Sequence, residues 1–403
     1  MQSLQELDAQ LHSGALRGAQ RIQLRANLRS FPEQLYQLAD TLEVLDLSGN
    51  QLSELPDDLT RFGKLRILFA SNNPFSELPR VLGRMPQLEM VGFKACQIRS
   101  VPADSLPPLL RWLILTDNQL SELPPTLGER PRLQKLMLAC NQLQALPASL
   151  AQCNRLELLL RISSNRFTAL PDVVLQLPAL AWLALAGNPM TSHSETQALA
   201  GSAAAANDYA SLQVHELLGE GASGNIYRAT PANGGSDVAL KVFKAGQTSD
   251  GTPQSELAAG LFAGQHPHLL TPLAAVRGLP EQQLAMALPL LPPDLQALAG
   301  PPSMASCTRD VYAPDARFSA SAAARLLQCL RSALAHLHSR GMLHGDLYAH
   351  NTLWNPATGD AVLSDLGAAA LLHELPATQK AQLQQMELRA LRHFEAEVQA
   401  RIA

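Results

Sequence analysis

The sequence predicts two regions of different architecture, an α/β solenoid of short parallel strands over residues 20–190 and an α+β domain over 209–403. Three observations point there. Leucines recur with a period near 23 residues through the first half. The second half holds a glycine-rich hairpin followed by a strand ending in lysine. Further on, an amphipathic helix runs into a segment rich in His, Asp and Asn. At 403 residues the chain has room for two or three domains. With 46 % apolar and 16 % charged residues it is too apolar to stay disordered.

The repeat is set by Asn27, Asn50, Asn73, Cys96, Asn118, Asn141, Asn165 and Asn188, spaced 23, 23, 23, 22, 23, 24 and 23 apart. Around them runs L-x-x-L-x-L-x-x-N-x-L-x-x-L-P, as in Leu42, Leu45, Leu47, Asn50, Leu52, Leu55 and Pro56. Alternating leucines turn one strand per repeat inward, and the Asn side chain satisfies backbone groups of the adjacent turn. A leucine-rich amphipathic helix is excluded, because Pro recurs at 56, 79, 102, 124, 147 and 171. The pattern is the leucine-rich-repeat signature. It implies about eight repeats over 20–190, behind an N-terminal helical cap at 1–19.

Strand residues next to the inward leucines alternate outward, onto a concave sheet. One such column reads Val44, Ile67, Met90, Trp112, Lys135, Leu159 and Trp182. A second reads Asp46, Phe69, Gly92, Ile114, Met137, Arg161 and Ala184. Val44, Ile67, Phe69, Met90, Trp112, Ile114, Met137, Leu159 and Trp182 therefore predict an apolar concave patch. Such a patch takes either a protein partner or the second half of the same chain. Residues 191–208 turn Ser-, Thr- and Ala-rich and predict a linker or a capping helix.

In the second half, Gly219-Glu-Gly221-Ala-Ser-Gly224 precedes Ile226-Tyr227, which continues as strand. The loop is thus a hairpin tip, where glycines let backbone N–H groups approach phosphates, and no helix opens there as a dinucleotide fold requires. Val238-Ala-Leu-Lys241 follows, with Glu256 on a helix 15 residues beyond the lysine. Ser319 to Arg340 is an amphipathic helix leading into His344-Gly345-Asp346-Leu347-Tyr348-Ala349-His350-Asn351. Fourteen residues later comes Asp365-Leu366-Gly367.

This order and spacing resemble a protein kinase domain, so the chain resembles a leucine-rich-repeat protein kinase with a bilobal second domain. The resemblance implies that Asp346 accepts the proton of the acceptor hydroxyl, and that Lys241, held by Glu256, grips the phosphates of ATP. Asn351 and Asp365 would hold Mg2+ or Mn2+. Gly219, Gly221, Gly224 and Ile226 would cover the nucleotide, and Leu288 and Leu290 would lie beside its base. His338 and His344 fall where the family uses histidine for loop structure.

Three departures bear on activity. Gly345 replaces the arginine that pairs with a phosphorylated activation loop, so loop phosphorylation is not the expected switch. Tyr348 stands where Ser/Thr kinases carry lysine. Only 36 residues follow Gly367, so a large lobe without its completing helices is expected, with Glu387-Leu-Arg-Ala390 resembling the helix start beneath the catalytic loop. The leading expectation is an ATP-dependent protein kinase, Ser/Thr in type, whose repeats recruit a protein partner or substrate. The alternatives are a small-molecule phosphotransferase of the aminoglycoside or choline kinase type, and a pseudokinase scaffold.

The remaining features limit location and partners. With 31 basic against 35 acidic residues the net charge is -4, which does not favour nucleic acid or an anionic membrane. Five scattered cysteines without a C-x-x-C pair predict reduced thiols. The first twenty residues lack an apolar signal region, so a cytoplasmic protein is expected. An export signal without such a region leaves no mark of this kind.

Overall fold

The computed structural model describes residues 1, 3–157, 159–201, 206–221, 223–244, 251–302 and 310–403. The chain divides into two compact units, Met1–Leu180 and Ala181–Ala403. The division falls inside the last repeat, ahead of the boundary that composition suggests.

The first unit opens with helix α1 (Leu4–His12), capped by the Ser3 hydroxyl accepting from the Glu6 N–H. Seven parallel strands then follow chain order: β1 (Arg21–Gln23), β2 (Val44–Asp46), β3 (Ile67–Phe69), β4 (Met90–Gly92), β5 (Trp112–Ile114), β6 (Lys135–Met137) and β7 (Leu159–Arg161). Their middle residues, Ile22, Leu45, Leu68, Val91, Leu113, Leu136 and Leu160, stand in one register and form a buried column. On the return side Pro56, Pro79, Pro124 and Pro147 each open a short 3-10 turn, and Pro171 opens α2 (Asp172–Leu175). Proline suits these places, because its fixed φ matches the extended residue that caps each turn.

The asparagines do what the repeat requires. Asn141 Oδ1 accepts from Leu120 N at 3.0 Å, while Nδ2 donates to Leu115 O at 2.9 Å and Leu138 O at 3.0 Å. Asn50, Asn73, Asn118 and Asn165 make the same type of bonds. Cys96 makes only long contacts, Sγ to Ala70 O at 3.5 Å and to Lys94 O at 3.6 Å. Just before the ladder position the backbone turns left-handed, at Gly49, Asn72, Ala95, Asp117, Cys140 and Ser164. Only Gly49 adopts that conformation at no steric cost, so the ladder bonds hold the other turns in place.

The outward columns depart from expectation. Ile67, Phe69, Met90 and Trp112 are buried, and only Val44, Ile114 and Met137 are half-exposed. Neighbouring columns cover one another. The Phe69 ring occupies the space a side chain at Gly92 would take, and the Lys135 ammonium lies 4.0 Å from the centre of the Trp112 ring. Leu159 forms part of β7, but its side chain lies outside the described residues.

The second unit begins with β8 (Leu183–Ala184) and helix α3 (Pro189–Gly201), which covers the first part of the stretch read as a linker or a capping helix. Then come β9 (Asn207–Asp208), β10 (Leu212–Glu220), β11 (Gly224–Pro231), β12 (Val238–Phe243), helix α4 (Pro253–Ala263), β13 (Ala274–Arg277) and β14 (Ala285–Pro289). The six strands form one sheet in the order β10-β11-β12-β14-β13-β9. Phe243, Leu257, Met286 and Leu288 make one of its hydrophobic clusters and bring α4 against it. Thr252 caps α4 by accepting from Ser255 N, and Pro253 takes the first helical position.

The rest is mainly helical. β15 (Gln296–Ala297) precedes α5 (Ala320–Ser339), which buries Leu326, Leu330, Leu334 and Leu337 along one face. After it come β16 (Met342–Leu343), β17 (Thr352–Trp354), β18 (Ala361–Leu363), β19 (Ala370–Leu371) and α6 (Ala377–Gln399). β15, β17 and β18 pair together, as do β16 and β19.

Replacing Asn141 by Ala removes four buried hydrogen bonds and leaves the Leu120 N–H without its acceptor, while Leu115 O and Leu138 O keep the bonds from Asn118 and Asn165. We expect a stability loss of about 2–4 kcal/mol in denaturant unfolding, whereas Cys96→Ala, with its weak contacts, loses about 1 kcal/mol or less.

Candidate active site

The sheet and α4 build one wall of the site. Gly221 N donates to Gly224 O at 2.9 Å and closes the β10–β11 tip. A Cβ on Gly224 would stand 2.5 Å from Val242 O, so glycine is what lets β11 lie tight on β12. In the strand register Lys241 sits between Ile226 and Met286. Its ammonium pairs with the Glu256 carboxylate of α4, with side-chain exposures of 11 % and 5 %. Burial pushes the Glu256 carboxyl up from its ordinary range, and the nearby Asp365 carboxylate adds to that, against the pull of Lys241.

The other wall is the loop after α5. His344 is fully buried and its Nε2 donates to Ser364 O at 3.0 Å, which leaves Nδ1 to accept from Asp346 N at 3.3 Å. Asn351 Nδ2 donates to Asp346 Oδ2 and to Asp346 O, both at 2.9 Å. Asp365 has a left-handed backbone at φ 60°, and its Oδ1 accepts from Gly367 N at 3.0 Å. Glu387 lies beneath the loop, 1 % exposed. Its Oε1 accepts from Gly345 N at 2.6 Å and its Oε2 pairs with His338 Nε2 at 2.8 Å. Glu387 is thus a buried carboxylate beneath the loop that carries Asp346, but it sits midway along α6, whereas the sequence suggests a helix start there.

Between the walls lies a cavity of about 320 Å3. It gathers Gly221, Gly224, Ile226, Lys241, Glu256, Leu288, Asn351 and Asp365 from the sequence expectation. Asp346 does not line the cavity itself; its carboxylate is bonded to Asn351, which does. Gly219 pairs with Ile226 in the hairpin and does not line the cavity. Leu290 is 40 % exposed and outside it, because β14 ends at Pro289 and the chain leaves the sheet. Leu270, Met286 and Leu353 complete the apolar lining and are not singled out by the motifs. Strand alternation offers a signal for Leu353, two residues beyond Asn351. Asp310 is also unmarked in sequence, yet its carboxylate accepts from Ala349 N at 3.1 Å and His350 N at 2.9 Å, which ties down the loop.

Residues 212–386 match the protein kinase domain family. The second unit carries a protein kinase domain. Ahead of it, residues 41–62 and 131–190 match leucine-rich-repeat families. Among similar proteins, the CBL-interacting protein kinase 22 of Oryza sativa subsp. japonica is 30 % identical over 179 residues, covering 39 % of this chain and 36 % of that protein. The cyclin-dependent kinase B2-1 of Arabidopsis thaliana is 26 % identical over 160 residues, covering 38 % and 48 %. The chain therefore spans less than half the length of these relatives. A leucine-rich-repeat protein of Leptospira interrogans aligns at 28 % identity over 41 % of this chain and 49 % of its own, with a TM-score of 0.35.

The departures from the kinase pattern have physical reasons. Gly345 has φ 77°, and a Cβ there would lie 2.5 Å from Ala368 O and 2.8 Å from Leu183 O. No arginine fits. Tyr348 is 5 % exposed, and its ring stacks on Trp182 at 4.7 Å with an interplanar angle of 3° and on His350 at 5.1 Å. It fills a packing role where a lysine would carry charge. Trp182 is 2 % exposed and sits inside the kinase-bearing unit, so it is not part of an open concave patch. Its column places it with the strands before it, and no repeat pattern reveals what it stacks on.

Gly345→Ala combines a disfavoured backbone with two backbone clashes. It is expected to lower stability by roughly 2–4 kcal/mol in thermal or denaturant unfolding; an unchanged midpoint would mean the loop has room to move.

Proposed function

We propose that the protein is an ATP- and Mg2+-dependent protein kinase acting on Ser or Thr hydroxyls, with its leucine-rich repeats recruiting a protein partner or substrate. The observation that carries this is the gathering of the Lys241–Glu256 pair, Asn351 and Asp365 around one cavity, with the Asp346 carboxylate bonded to Asn351. The cavity fits the cofactor chemically. Ile226, Met286, Leu288 and Leu353 give an apolar end for a purine ring, and Lys241, Asn351 and Asp365 give a polar end for phosphates and a cation. With Nδ2 engaged by Asp346, the Asn351 amide oxygen is the atom suited to a metal, alongside the Asp365 carboxylate.

When bound, Mg-ATP supplies the phosphoryl group and neutralises its developing charge. The chain's own residues do the positioning. Glu256 keeps the Lys241 ammonium extended into the cavity, and the buried His344 fixes the backbone N–H of Asp346. Asn351 orients the Asp346 carboxylate, which accepts the proton of the incoming hydroxyl at Oδ1 or Oδ2.

One observation favours a small-molecule phosphotransferase as the second reading. The chain from Gly367 to α6 is only residues 368–376, of which Ala370–Leu371 pair with β16. Little chain is left there to make a platform for a peptide.

The deciding experiment follows label from γ-labelled ATP onto protein and into free phosphate. Asp346→Asn and Asp365→Ala should each lower transfer by about a hundred-fold or more; full activity in either would overturn the assignment. Transfer to a small alcohol but to no protein would favour the second reading. The raised Glu256 carboxyl also sets a pH dependence. Acid protonates Glu256 before ordinary carboxylates and frees Lys241, so kcat/KM should fall on an acid limb lying above the usual glutamate range.

A further inference from the structure

Within the kinase-bearing unit, one short stretch touches helix α4, the loop after Asp346 and the chain that follows Asp365. The Trp182 indole Nε1 donates to Leu347 O at 2.9 Å, and its ring stacks on Tyr348 and, at 5.5 Å, on His393 of α6. Leu347 and Tyr348 are the two residues after Asp346. Leu183 O fills the space beside Gly345. On helix α3, the Ser194 N–H and hydroxyl both donate to Glu374 Oε1, at 2.7 and 2.8 Å, in the chain that follows Asp365-Leu366-Gly367. The next residue, Glu195, is 8 % exposed. Its Oε1 accepts from Gly187 N at 2.8 Å, and its Oε2 accepts from Ser255 Oγ at 3.0 Å. Ser255 is itself buried and precedes Glu256 on α4.

We propose that residues 181–201 form a built-in brace of the kinase domain, in which Glu195 is a positioning residue for Glu256 and Trp182 one for the Asp346 loop. The family match begins at residue 212, so the brace lies outside it. In a protein kinase the helix carrying the lysine's partner must sit inward, and the chain after the metal-binding aspartate must be ordered. Here both are tied to a single helix, α4 by a buried hydrogen bond and the chain after Asp365 by two part-buried ones. Gly345 leaves no arginine for a phosphorylated loop to engage, and the brace holds the same parts without a phosphate. The kinase domain is therefore set in its assembled state by the chain itself.

This inference rests on the proposed kinase reading, but its test separates the two. Full-length Glu195→Ala, Ser255→Ala and the double variant are compared with the intact protein by amide hydrogen exchange and by phosphate transfer. Each single variant should speed exchange of the α4 amides about ten-fold, the loss of one buried hydrogen bond to a carboxylate, with the strands β2 to β6 unchanged. Transfer should fall about ten-fold through kcat, and the double variant should be little worse than Glu195→Ala alone. Glu195→Gln, whose amide accepts from Gly187 and donates to Ser255, should recover most of it. Unchanged α4 exchange in both single variants would overturn the brace, as would faster exchange with undiminished transfer. An intact protein that transfers no phosphate would sink the kinase reading instead, and the exchange result would still decide whether the brace exists.

Discussion

The Lys241–Glu256 ion pair is the interaction on which the rest of the site depends. It removes two charges from water, and neither would be tolerated there alone. The pair forms only when β12 and α4 are pressed together, and the packing of Leu257 beside Phe243 and Met286 supplies that pressure. Where α4 sits thus decides whether the lysine points into the cavity. A buried pair of this kind is weak as a source of stability, but it is a sharp constraint on geometry.

The lower half of the site obeys the same logic with neutral and charged hydrogen bonds. Glu387, His344 and Asp310 hold the loop backbone from three sides, and Asn351 holds the Asp346 side chain from a fourth. Each of these polar groups is buried and each has a partner, so the loop gains rigidity rather than strain. The left-handed Asp365 fits a residue kept in an uncommon conformation by its surroundings, here by the bond its carboxylate accepts from Gly367.

Much of this is legible in the sequence, and the reason differs by element. The repeat is visible because one asparagine per turn must satisfy several backbone groups, so the residue type and the period come together. Lys241, Glu256, Asp346, Asn351 and Asp365 are visible because their chemistry fixes both identity and spacing. What escapes is whatever depends on packing between distant segments. Trp182 shares a column with Val44 and Met90, yet it stacks on Tyr348, and nothing local distinguishes it. Asp310 and Glu195 read as ordinary acids, since their roles come from which backbone or hydroxyl lies beside them. Leu290 misleads because alternation holds only while the strand lasts, and β14 ends at Pro289.

The most direct test of the central claim is a calorimetric titration of the intact protein with ATP, with and without Mg2+. The arrangement of Lys241, Asn351 and Asp365 around the cavity predicts saturable binding of one nucleotide per chain, weakened when the metal is chelated. No heat and no saturation with folded protein would contradict the account, because the cavity would then not be a nucleotide site.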